Sequence, residues 1–200
     1  MTVAQRIYLH HLPHTQRSFI MKQIDFEHGK ITDNILRASI PMLVAEVLSL
    51  LYNIVDRIYI ARIPDVGTTA LGAVGLCFPI ITIILAFSNL FGSGGAPLFS
   101  IERGRKDTKE SSMIMNTSFF LICVCALLLM AVGMIFAKPI LLLFGSSENG
   151  LIYAYPYLMI YLLGTFPSMV ATGMNPFINA QGYATTGMIS VVIGAVANLI

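Results

Sequence analysis

Charge is what this sequence has least of. Asp, Glu, Lys and Arg together make up 11% of its 200 residues, against 56% hydrophobic residues and a mean hydropathy of +0.78. That balance excludes an ordinary soluble domain, which carries about 25% charged residues. The formal net charge of +2 is too small, and its basic residues too dispersed, to suggest a nucleic-acid partner. No Asp-Asp-x-x-Asp, His-Glu-x-x-His or Ser-Asp-Lys constellation occurs, so nothing in the sequence supports an enzyme. The three cysteines lie in apolar surroundings, and Cys123-Val-Cys125 lacks the C-x-x-C spacing of a metal or redox site, which leaves them as small packing residues. His10, His11 and His14 have no further ligands near them and do not make a metal site. Gly92-Ser-Gly94-Gly95 has no Lys-Ser/Thr after it, so it reads as close helix packing or a flexible helix end rather than a phosphate loop. No cofactor is expected.

What is present is apolar length. No charged residue occurs between Asp65 and Glu102, between Glu110 and Lys138, or from Asn149 to Ile200. Each run exceeds the ~20 residues that span a bilayer, and the last holds two spans with a turn. The fold class is therefore an all-α integral membrane protein of about five transmembrane helices, at 35–61, 69–99, 112–137, 151–180 and 184–200. Thr32 or Asp33 is expected to cap the first of them. Residues 1–34 form an N-terminal tail without a secretory signal, and Met21 reads as the translational start, with residues 1–20 an upstream extension. Nine of the twelve Lys and Arg residues lie in that tail, at Arg37, or in the loop Arg103 to Lys109, which puts both segments in the cytoplasm by the positive-inside rule.

The first span departs from this apolar rule. It holds Glu46, Ser49, Tyr52, Asn53, Asp56 and Arg57. A charged residue at the centre of a membrane helix costs about 2.5–3.5 kcal/mol on insertion scales, so its presence points to an ion path, a proton relay or a substrate contact. At about 100° per residue, Glu46, Ser49, Asn53 and Asp56 share one helix face with Tyr52 at its edge, a stripe that cannot face lipid. A hydrogen-bonded seam between helices would produce the same stripe without transport. Glu46 and Asp56 stand about 15 Å apart along the helix axis, and either is a candidate cation ligand. Pro41 deletes one backbone hydrogen bond and marks a bend.

Several further segments occur in an informative order: Pro41, then Leu51-Tyr52-Asn53-Ile-Val55-Asp56; Ala70-Leu-Gly72-Ala-Val-Gly75 through Phe78-Pro79-Ile80; Gly92-Ser-Gly94-Gly95; and Ala180-Gln181-Gly182 leading to Asn198. On these the chain resembles, from Ile31 to Ile200, the N-terminal part of bacterial multidrug and toxic compound extrusion (MATE) transporters. The resemblance implies most of the six-helix N-terminal lobe of a twelve-helix, two-lobed protein of the bacterial cytoplasmic membrane. It implies export of cationic or amphiphilic compounds in exchange for H⁺ or Na⁺. On residues, it implies a cation site of Asp56, Tyr52, Asn198 and Asn175, with Na⁺ at Asp56 and Asn198 if sodium is the coupling ion, and a helix bend at Pro41. Arg57 directly after the acid, Ala61 in place of a glycine, and Asn179 in place of an arginine depart from the family pattern. The resemblance further implies a fragment inactive without a C-terminal lobe, whose partners are membrane lipid and small cationic substrates. Two other readings remain open. One is a lipid-linked oligosaccharide flippase of the same superfamily, which would favour basic residues in its spans. The other is a non-transporting membrane assembly subunit.

Overall fold

The computed structural model describes Ile24 and residues 30–199, with side chains to residue 196. The described residues form six helices and no strand: α1 (Ile31–Ala61), α2 (Gly67–Gly104), α3 (Thr108–Leu143), α4 (Glu148–Leu163), α5 (Thr165–Ala180) and α6 (Ala184–Leu199). Three of them, α1, α2 and α3, are each long and apolar enough to cross a membrane. The pair α4 and α5 does so together, while α6 is a shorter apolar helix. The architecture is thus all-α and of the multi-pass membrane type. His10, His11, His14 and Met21 lie outside the described residues.

Three helices outrun the expected spans. At 38 and 36 residues, α2 and α3 exceed what a bilayer core requires, and their apolar middles continue into polar ends. The third span was expected to end near Ala137, because Lys138-Pro139 looks like a stop. The helix instead runs through Pro139 to Leu143. Pro139 is exposed, and Leu141, one turn from Ala137, is fully buried and carries the core two residues further. In α1 the start also differs. The helix begins at Ile31, so Asp33 sits in its first turn, where it ion-pairs with Arg37 at 2.8 Å across one turn instead of capping from outside.

The expected fourth span, 151–180, is broken. Helices α4 and α5 meet at Gly164 with a bend of 55°. Pro167 has no N–H to offer the carbonyl of Leu163 and its ring crowds that group, which stops the ladder there. The Thr165 hydroxyl donates back to the Tyr161 carbonyl at 3.3 Å, a bond that further bends a helix.

One compact unit comprises Asn53–Phe177 and the other Met1–Tyr52 with Ile178–Ile200. In the first, α2, α3 and α4 pack on one another around Cys77, Ile84, Ile122, Ala126, Leu158 and Leu162. Alanine and glycine let the backbones approach. Gly92 meets the backbone of Gly173, and Gly95 faces the Ser118 hydroxyl and the Phe177 ring. The Ser88 hydroxyl, fully buried, donates to the Met169 carbonyl at 3.1 Å and ties α2 to α5. Of the free cysteines, Cys77 is buried with its thiol 3.6 Å from the Ala73 carbonyl and 3.7 Å from that of Ala154, the packing role expected of it. In the other unit, the Ile24 N–H donates to the Gly182 carbonyl at 3.1 Å, and Gly182 takes a φ of +85° that favours glycine.

Side chains cap the starts of α3 and α4. The Asp107 carboxylate accepts from the N–H groups of Lys109 and Glu110 at 3.1 and 2.9 Å, and the Ser147 hydroxyl from Gly150 at 3.1 Å. Asp107→Ala should therefore lower stability by about 1 kcal/mol. Thermal unfolding in detergent would register this, and an unchanged midpoint would show that the cap contributes nothing.

Candidate functional site

Helix α1 runs unbroken through Pro41. Its half-buried positions include Pro41, Ala45, Ser49, Tyr52 and Asp56, which fall within about 80° of one another around the helix at about 100° per residue. The polar stripe expected from the sequence is thereby divided. Ser49, Tyr52 and Asp56 share the covered face, whereas Glu46 and Asn53 are exposed on its flank. Among the two carboxylates, only Asp56 sits on that face.

At the end of α1 nearest α2, four side chains of the Asn53–Phe177 unit converge. The Arg57 guanidinium carbon lies 5.7 Å from the centre of the Phe78 ring on α2, a cation–π contact. At an exposed position such a contact contributes about 0.5–1 kcal/mol. Tyr157 on α4 is half-buried and close enough to Asp56 and Arg57 for both charges to act on its hydroxyl. Asp56 is engaged by neighbouring groups and does not stand alone. Register fixes this arrangement: Cys77 and Leu158, each adjacent in sequence to one of the two aromatic residues, are fully buried in the core. A carboxylate in an apolar span can bind a cation or exchange a proton.

The other expected site residues lie elsewhere. Asn175 is half-buried on α5, two residues from Gly173, which touches α2 at Gly92. That contact is about 20 Å farther along α2 than Phe78, so Asn175 is not beside Asp56. The backbone of Asn198 is helical within α6, and its side chain lies outside the described residues. No group of three or more metal-ligating side chains occurs among the described residues.

Tyr157 and Phe78 were missed as site residues. Phe78 had been noticed only as part of a family motif. Tyr157 belongs to a series, Tyr153, Tyr157 and Tyr161, repeating every four residues along a charge-free span. All three are half-buried against the core, so the signal was available as a phenolic stripe.

Long apolar helices and a broken span define a multi-pass helical membrane protein. The family model described as MatE matches residues 41–200, and the chain belongs to that family. It is similar to the multidrug export protein MepA of Staphylococcus haemolyticus (strain JCSC1435), with 27% identity over 88% of this chain and 38% of the relative. The proteins of the same name from Staphylococcus saprophyticus and from Staphylococcus aureus (strain MRSA252) are 23% and 24% identical over the same shares. The chain thus spans 38% of the length of these curated relatives. No solved structure matches it.

Proposed function

We propose that these residues form part of the N-terminal lobe of a secondary multidrug efflux transporter that exchanges H⁺ or Na⁺ for cationic or amphiphilic compounds. The observation that carries this reading is the placement of Asp56. It is the carboxylate on the covered face of α1, and it lies within electrostatic reach of Tyr157 on another helix of the same compact unit. Membership of the MatE family and the name of the staphylococcal relatives support the same direction.

In this reading Asp56 alternates between the coupling ion and a neutral or substrate-bound state, and Tyr157 supplies a polar oxygen near it. If the coupling ion is Na⁺, Asp56 is its proposed ligand. The N-terminus and the loop Arg103 to Lys109 face the cytoplasm of a bacterial cell. Alternating access rocks one repeat against another about a fixed site, so transport is assigned to these residues as part of a two-lobed assembly and not alone.

The test is efflux of ethidium from membrane vesicles containing the complete gene product, driven in turn by a pH gradient and by a Na⁺ gradient. One of the two gradients should drive efflux above that of empty vesicles. If neither does, the exchange reading fails.

A further inference from the structure

Arg57 directly follows the site acid, and its position in the fold gives it a part of its own. Cys77 is fully buried, its thiol 3.6 Å from the Ala73 carbonyl on α2 and 3.7 Å from the Ala154 carbonyl on α4, so this face of α2 points into the core. The next residue is rotated by about 100° from that core direction, which turns Phe78 onto the flank of the helix. There the ring is 55% exposed and open to a ligand from outside the helix bundle. The guanidinium of Arg57, itself exposed, occupies the face of that ring at 5.7 Å. The charges of Asp56 and Arg57 both reach the Tyr157 hydroxyl on α4.

An aromatic face next to a carboxylate and a phenol is the chemistry that recognises a hydrophobic organic cation: the ring quadrupole attracts the charge, the ring surface covers its apolar substituents, and the acid balances it. Here the position is already filled by a cation from the chain itself. We propose that Phe78 is a docking face for the organic cation and that Arg57 is a tethered competitor for it, which keeps affinity at this end of α1 low enough for release. The inference deepens the export reading and rests on it for the class of ligand. An organic cation must displace the guanidinium from the ring.

The probe is tetraphenylphosphonium, its binding to the purified complete gene product followed by calorimetry. Removing the competitor in Arg57→Ala should tighten binding about three- to tenfold, the range expected when a cation–π site is vacated and a like charge removed. Arg57→Lys keeps a cation within reach of the ring and should bind close to the unmodified protein. Adding Phe78→Leu to Arg57→Ala should cancel the gain, since the vacated face is no longer aromatic. Equal tightening in the Lys and Ala variants, or a gain that survives Phe78→Leu, overturns the assignment, because either result reflects general loosening of the helix end. Unchanged affinity in Arg57→Ala with ethidium efflux intact overturns the competitor role and leaves the export reading standing. Tightened binding without gradient-driven efflux in any variant supports the docking face and removes export.

Discussion

In the complete gene product, Asp56→Asn is expected to reduce gradient-driven ethidium efflux to the level of empty vesicles while the protein still inserts and purifies. The substitution keeps the size and hydrogen-bonding outline of the side chain but removes its charge and its titratable proton. If Asp56 carries the coupling ion, no partial activity should survive, since an amide neither ionises at physiological pH nor balances Na⁺. Folding should be spared because Asp56 is half-buried at the end of α1, outside the apolar core shared by α2, α3 and α4. The matched control is Glu46→Gln, ten residues back on the exposed flank of the same helix. It should retain most of the efflux. Equal loss in both variants would make the two carboxylates a single functional unit, and full activity in Asp56→Asn would remove that residue from the mechanism.

The second large effect is structural and concerns two glycines of one cluster. A Cβ at Gly92 would collide with the carbonyl oxygen of Gly173 and lie 2.9 Å from its Cα, both backbone atoms that no rotamer change can move aside. A Cβ at Gly94, on the exposed side of α2, meets nothing within 4 Å. Gly92→Ala should therefore destabilise the protein by about 1–3 kcal/mol through overpacking, although alanine is the better helix former. Gly94→Ala should be neutral or stabilising by up to about 1 kcal/mol, by lowering the freedom of the unfolded chain. Thermal unfolding of the two variants in detergent checks the pair. Similar midpoints for both would show that α2 and α5 do not depend on backbone contact at this level. Gly95 lies between these cases, since its neighbours at 2.5 and 2.8 Å are the tips of the Ser118 and Phe177 side chains.

The contrast between Gly92 and Gly94 illustrates how far a sequence carries the argument. Both belong to Gly92-Ser-Gly94-Gly95, which was read as close packing or a flexible end, and only the position of α5 shows which glycine bears the contact. The polar stripe of α1 behaved in the same way. Its existence followed from Glu46, Ser49, Asn53 and Asp56 in one apolar span, but helical periodicity fixes relative angles and not which of them faces protein. The covered face proved to be centred on Ser49, Tyr52 and Asp56. Tyr157 escaped notice because a tyrosine in an apolar span is also an ordinary packing residue, and its nearness to Asp56 depends on which helix lies beside α1.

By itself, the sequence determined the class of the protein, the order of its apolar segments, the MatE resemblance and the unusual acid at position 56. These follow from composition and local periodicity, because a bilayer demands length and hydrophobicity before anything else. The tertiary structure alone decided the break at Gly164, the continuation of α3 past Pro139, which positions of α1 are half-buried, and the contact of Arg57 with Phe78. Each of these depends on what an adjacent helix presents. A bent helix is stable only where neighbours cover its interrupted backbone bonds, and a charged side chain in an apolar span finds its partner across a helix interface rather than along its own chain.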